Sequence, residues 1–138
     1  MEGYAATYEP YLLFETVEGP VYEQFTREAF ASCDMSDVIM QYDHQGKVFA
    51  RKSNGTLIVE SDDKGLFICA DLSKSSGSKD LYEEISSGLV TKMSWGFLPG
   101  DPGDYYFDQP TRTLIHKRVK KIYDVSAVSI PANQDTEI

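Results

Sequence analysis

Three side chains in this sequence have the types needed for nucleophilic hydrolysis, and the first is Ser94. It lies in the apolar, aromatic run Met93-Ser94-Trp95-Gly96-Phe97. A glycine weakens a strand unless another group must come close to the backbone there. The run therefore predicts a close approach at Gly96, for example by a substrate. A serine hydroxyl is a weak nucleophile until a base removes its proton, so a base must be found elsewhere in the chain.

The candidate bases are the two histidines, His44 and His116. Imidazole is the suitable general base near neutral pH. His44 follows Tyr42 and Asp43 and precedes Gln45-Gly46, so we expect it where a strand enters a turn. The alternative for a single histidine at such a position is an exposed side chain without a chemical role.

The third side chain is Asp124, in the apolar run IYDVS of residues 122–126. A carboxylate inside such a strand is costly unless it is paired or hydrogen-bonded. One suitable partner is a histidine, because a buried carboxylate holds the imidazole in one tautomer and stabilises the imidazolium. Triads are defined by geometry, so the chain order His44, Ser94, Asp124 is compatible with one. The alternative is an aspartate that points outward from the strand edge.

The bulk composition excludes several classes of protein. The chain has 138 residues, of which 41% are hydrophobic and 25% charged, which predicts one soluble domain over residues 1–138. Its formal net charge of −9 argues against nucleic-acid partners and against adsorption to an anionic membrane. No apolar stretch approaches the roughly 18 residues of a spanning helix.

The metal-binding residue types are sparse. Two cysteines, Cys33 and Cys69, and two scattered histidines have no recognisable zinc spacing, so we expect free thiols and neither a metal nor a cofactor. Both ends of the chain resemble trimmed boundaries.

The coarse pattern is mainly β. Residues 11–15 and 21–25 flank Glu18-Gly19-Pro20 and predict a hairpin, and Asn54-Gly55 predicts a second hairpin between residues 47–51 and 56–60. Asp62-Asp63-Lys64-Gly65 predicts a further turn. Residues 111–125 predict a long strand or a strand pair.

One helix is expected after a polar loop. Ser78 is its predicted N-cap, Leu81, Ile85 and Leu89 form one face, and Gly88 is its predicted stop. We therefore expect a mainly β fold with flanking helices (α+β), arranged as a closed or nearly closed β-barrel.

In order and spacing, the motifs resemble the HK97-like prohead maturation proteases of tailed bacteriophages, which are related in fold to herpesvirus assemblin. The matching segments run through most of the chain and are Gly3-Tyr4-Ala5, Glu23-Gln24-Phe25, Glu28-Ala29-Phe30, Tyr42-Asp43-His44, Asn54-Gly55-Thr56-Leu57, Asp62-Asp63-Lys64-Gly65-Leu66, Leu81 with Ile85 and Gly88, Met93-Ser94-Trp95-Gly96-Phe97, Asp124-Val125-Ser126 and Pro131-Ala132.

The resemblance implies a serine endopeptidase with His44 as base and Ser94 as nucleophile. The family usually has glutamate at the acidic position, where this chain has Asp124, one methylene shorter.

His116 is the rival third member of the catalytic set, because the herpesvirus enzymes use a second histidine. If one unbroken strand carried both, His116 and Asp124 would lie eight residues apart, or roughly 26 Å at about 3.3 Å per residue. Both cannot then reach His44. The many cations around His116 favour an exposed surface for it, so Asp124 is preferred.

The implied substrates are the scaffold and the scaffolding segment of the major capsid protein, cut inside the procapsid in the host cytoplasm. The resemblance also implies a homodimer or a higher homo-oligomer.

Two alternative functions stay open. One is a non-catalytic β-barrel assembly module of the same fold. The other is a hydrolase of small esters, although this chain lacks the G-x-S-x-G turn expected of the common hydrolase fold.

Overall fold

The computed structural model describes residues 1–131, Asn133, Thr136 and Ile138. These residues form eleven strands and one α-helix, α1 (Ser76–Ser86). The strands are β1 (Glu2–Thr7), β2 (Tyr11–Thr16), β3 (Gly19–Phe25), β4 (Ile39–Tyr42), β5 (Gln45–Arg51), β6 (Leu57–Ser61), β7 (Gly65–Ala70), β8 (Lys92–Pro99), β9 (Tyr105–Asp108), β10 (Thr113–His116) and β11 (Val119–Val128). The expected mainly β fold is therefore confirmed, with one α-helix in the described part of the chain.

The strands form three separate sheets, with orders β1-β7-β6, β2-β3-β10-β9 and β5-β4-β11-β8. None of the three closes on itself, so the closed barrel expected from the sequence is not observed. At one seam, β1 lies beside β8 without ladder hydrogen bonds between them. Two of the pairings, β3 with β10 and β4 with β11, are parallel and join strands that are distant in sequence.

Two of the three predicted turns connect paired strands. β2 pairs antiparallel with β3 and β6 pairs antiparallel with β7, as predicted. The hairpin predicted at Asn54-Gly55 is wrong, because β5 and β6 belong to different sheets. Gly55 has a φ of 79° and ends a short 3₁₀ turn at residues 52–54, where the chain crosses from one sheet to the next. An Asn-Gly pair supplies a tight turn, but it does not determine which strands pair after it.

The helix begins earlier than predicted. Ser75 is its N-cap and accepts a hydrogen bond from the backbone N–H of Ser78. The predicted N-cap, Ser78, instead lies inside the first turn, where it is buried and its hydroxyl donates to the carbonyl of Phe49 at 2.8 Å. The predicted stop is confirmed, since Gly88 follows the last helical residues with a φ of 81°.

An aromatic cluster fills the space between two of the sheets. Phe25 of β3 is fully buried and packs against Trp95 of β8, with ring centroids 4.9 Å apart. Phe30 and Phe97 contact the same rings. This packing holds the core face of β8 in place, and therefore leaves its opposite face for other side chains.

Among the described residues, no helix is long and apolar enough to cross a membrane.

Candidate active site

His44 lies in a tight turn between β4 and β5. Tyr42 pairs with Gln45, so Asp43 and His44 are the two turn residues, with φ values of 50° and 60°. Positive φ at both positions is typical of a type I′ hairpin turn. For residues other than glycine this conformation costs of order 1–3 kcal/mol and occurs preferentially at functional sites. The position of His44 at a strand end is confirmed.

The side chain of Asp43 ties this turn to the end of β11. Its Oδ1 accepts a hydrogen bond from the backbone N–H of Ser129 at 3.0 Å, and the hydroxyl of Ser129 also contacts the carboxylate. The backbone N–H of Asp43 donates to the carbonyl of Ala127 at 3.0 Å. Asp43 therefore fixes where the turn sits, while its carboxylate is directed to Ser129 and not to His44.

The imidazole of His44 reaches Asp124 of β11. His44 Nδ1 lies 2.6 Å from Asp124 Oδ2, with the two side chains 38% and 13% exposed. An ionised carboxylate accepts only, so Nδ1 carries the proton and the lone pair of Nε2 is available to accept another. The shorter aspartate is therefore long enough to hold the imidazole in the tautomer that a general base requires.

A second donor fixes the same carboxylate oxygen. Ser126 is fully buried and its Oγ donates to Asp124 Oδ2 at 2.7 Å. Sequence reasoning missed this residue. The signal was available, because Asp124 and Ser126 are two positions apart in a strand and so share a face.

A β-bulge turns Asp124 outward. Ile122 pairs with Phe97 and Asp124 with Gly96, so Tyr123 is one extra residue in β11. Ile122 and Val125 are then both buried although they are three positions apart. Bulges of this kind redirect side chains beside active sites. Without the extra residue, the strand's two-residue alternation would direct Asp124 toward the core.

Ser94 lies on the same sheet face as Asp124. In the antiparallel pair of β8 and β11, Ser94 is opposite Ser126 and Gly96 is opposite Asp124. Residues directly opposite each other project to one face, with Cβ atoms about 5 Å apart. Ser94 is partly exposed, whereas Met93 and Trp95 pack into the core from the other face. Within the described residues no hydrogen bond joins Ser94 Oγ to His44. Such contacts are often long without substrate.

The glycine two positions after Ser94 makes room for the acid. A Cβ at Gly96 would lie 2.3 Å from Asp124 Oδ1. The close approach predicted at Gly96 is therefore made by the Asp124 carboxylate, where the sequence had suggested a substrate.

We expect Gly96→Ala to lower kcat by about 100-fold, because the added methyl displaces the carboxylate from His44 and small misplacements have effects of this size. Cleavage kinetics on a capsid-protein precursor measure it. Gly77→Ala is the matched control, since its Cβ would meet Lys47 and Phe49 only at an ordinary 3.8 Å. Equal rates for the two variants would contradict this account of Gly96.

His116 does not belong to this site. It is 4% exposed on β10, in a different sheet from Asp124, so both the expected exposed position and the single unbroken strand are wrong. Its Nε2 lies 2.9 Å from Glu23 Oε2 and its ring stacks on Phe25. The pairing of β10 with β3 places His116 in these buried surroundings. The cationic residues beside it in sequence gave no indication of that pairing.

The described residues include no cluster of three or more His, Cys, Asp or Glu side chains placed to hold a metal ion. Cys33 and Cys69 are free thiols and both are half-buried. Burial, aided by the negative charge of Asp34, raises the pKa of Cys33 to about 11, which keeps this thiol protonated and unreactive near neutral pH.

Comparison with protein-family models decides between the classes that this geometry allows. The model described as caudovirus prohead serine protease matches residues 1–138. The chain belongs to the caudovirus prohead serine protease family. It is therefore a serine peptidase of the phage prohead with a role in capsid maturation, and the family places such enzymes at the procapsid. No curated protein and no solved structure gives a significant match to the chain.

The geometry at Asp124 bears on one of the open alternatives, the non-catalytic assembly module. The main sequence feature that supports a non-catalytic assembly module is Asp124, which replaces the usual glutamate of the family. Because Asp124 lies 2.6 Å from His44 Nδ1, the shorter side chain no longer supports that alternative.

Proposed function

We propose that this protease cleaves peptide bonds through an acyl-enzyme on Ser94, with His44 as general base and Asp124 as the residue that orients it. The observation that carries the proposal is the 2.6 Å pair of His44 Nδ1 and Asp124 Oδ2, made on the sheet face that also bears Ser94. Serine, imidazole and carboxylate are the three groups that this chemistry requires.

In the first half of the reaction, Ser94 Oγ attacks the scissile carbonyl carbon and its proton passes to His44 Nε2. The imidazolium is stabilised by Asp124 through the Nδ1–H hydrogen bond. When the tetrahedral intermediate collapses, the C–N bond breaks and the leaving amine takes the proton from Nε2. An ester on Ser94 remains.

In the second half, His44 takes a proton from water, and the hydroxide attacks the ester. The C–O bond to Ser94 breaks, and Oγ recovers its proton from the imidazolium. Ser126 keeps Asp124 in place throughout, because its hydroxyl donates to the oxygen that also binds His44.

We infer that the substrates are the scaffold and the scaffolding segment of the major capsid protein, cut inside the procapsid in the host cytoplasm. Family membership supports capsid proteins as the substrate class. The match over residues 1–138 supports a single protease domain. Association into a homodimer or a higher homo-oligomer is part of the proposal.

The test is co-expression of the chain with its cognate capsid-protein precursor, read out by intact mass. Loss of one defined segment from the precursor supports the proposal and gives the cleavage site. In parallel, the purified protein is treated with a fluorophosphonate and the adduct is located by peptide mass. An adduct on Ser94 supports the acyl-enzyme; an intact precursor together with an adduct elsewhere would overturn both parts.

A further inference from the structure

The edge of β8 that faces away from β11 is held by the side chain of Thr136. The Oγ1 of Thr136 donates to the carbonyl of Met93 at 2.6 Å and accepts from the backbone N–H of Met93 at 3.1 Å. Thr136 is 1% exposed. One hydroxyl thus pairs with both backbone groups of Met93, as a neighbouring strand would in a continuous sheet. It does so on the side of β8 where β1 and β8 form no ladder.

These two bonds act directly on the backbone that carries Ser94. The carbonyl of Met93 and the N–H of Ser94 belong to one planar peptide group. Backbone groups alternate in direction along a strand, so those of Met93 point to Thr136 and those of Ser94 point to β11. The peptide plane before Ser94 is therefore held from both sides. Ile138 adds a third contact on this edge, from its N–H to the carbonyl of Thr91 at 3.3 Å.

We propose that Thr136 is a positioning residue for Ser94, an inference that rests on the proposed role of Ser94 as nucleophile. A nucleophile reacts only when its oxygen is held in near-attack geometry, and an error of 1 Å can lower the rate about 100-fold. Removing the hydroxyl leaves both peptide groups of Met93 without partners in a buried seam, so β8 shifts to recover them.

A purely structural role for Thr136 is separated from a positioning role by a matched threonine. Thr56 contacts both backbone groups of Arg51: its Oγ1 accepts from the N–H of Arg51 at 2.8 Å and lies 3.2 Å from the carbonyl of Arg51. Its proton is shared with Asn54 Oδ1, at 2.5 Å. It is also buried, but it lies between β5 and β6, away from Ser94. Valine at either position keeps the shape of threonine and removes the hydroxyl.

The experiment compares Thr136→Val, Thr136→Ser and Thr56→Val in the full chain. We expect Thr136→Val to lower kcat on the capsid precursor, and the rate of fluorophosphonate labelling at Ser94, by about tenfold or more, with KM changed less than about twofold. Thr136→Ser keeps the hydroxyl and should restore both rates. Thr56→Val should lower Tm to a similar extent without affecting either rate.

Equal rates in Thr136→Val and Thr56→Val would overturn the inference. Faster labelling of Ser94 in Thr136→Val would also overturn it, because it would mean that Thr136 obstructs Ser94. Failure of the proposed function looks different. In that case Ser94→Ala is labelled and cleaves as well as the unmodified chain, whatever Thr136 does.

Discussion

Ser94→Ala is expected to lower kcat for precursor cleavage by about 10⁵-fold or more, the largest effect of any single substitution in this chain. The alanine removes the oxygen that would form the acyl-enzyme. Among the described residues, no other hydroxyl on the sheet face of Ser94 and Asp124 is placed to replace it as nucleophile. Ser126, which lies directly opposite, is fully buried and its hydroxyl is committed to Asp124. Single-turnover cleavage of the capsid precursor, followed by intact mass, measures the loss.

Ser126→Ala is the matched control for this substitution. It removes a hydroxyl from the same pair of opposed residues, yet it leaves the nucleophile and the His44–Asp124 pair present. We expect a loss of about tenfold, the effect of releasing one of two hydrogen bonds that hold Asp124 Oδ2. If Ser126→Ala abolished cleavage and Ser94→Ala did not, the assignment of the nucleophile would be wrong.

Asp124→Asn is expected to lower kcat by about 10⁴-fold near neutral pH. The asparagine is the same size, so it fits beside Gly96. When its amide nitrogen takes the position of Oδ2, the Ser126 hydroxyl accepts from it instead of donating. The amide group of the asparagine also donates to His44 Nδ1, which forces the proton onto Nε2. The imidazole then cannot accept the proton of Ser94, although the geometry of the site is retained.

Asp43→Asn tests whether the loss is specific to that carboxylate. Asp43 is adjacent to His44 in sequence but binds Ser129, and an asparagine oxygen can still accept those bonds. We expect a change of less than about tenfold. Both variants should retain a cooperative thermal transition close to that of the unmodified chain. Comparable losses in the two variants would show that removing either carboxylate charge near His44 has the same effect, and would remove the orienting role from Asp124.

The sequence alone was informative wherever function depends on local chemistry. The placement of His44 at a turn, the hairpin between β2 and β3 and the stop at Gly88 all follow from turn residues and from strand or helix periodicity, which act over a few neighbouring positions. The three proposed catalytic residues were named from their types and from the resemblance of the motifs around them.

Wrong predictions arose where distant segments decide the outcome. Asn54-Gly55 has the residues of a hairpin turn, but β5 pairs with β4 and β6 with β7, because burial of apolar faces selects the partners. His116 has cationic neighbours in sequence, but the parallel pairing of β10 with β3 places it in the core beside Glu23. Nothing in the local pattern of either segment contains this information.

The sequence by itself therefore determined which groups are available for chemistry and that they are carried mainly on strands. Only the tertiary structure decided how they meet. The parallel pairing of β4 with β11 brings His44 to Asp124, and the bulge at Tyr123 turns Asp124 to the face of Ser94. The absent side chain of Gly96 leaves space for the carboxylate there. Register and bulges are set by packing between strands that lie far apart in the chain, so they emerge only when the sheets assemble.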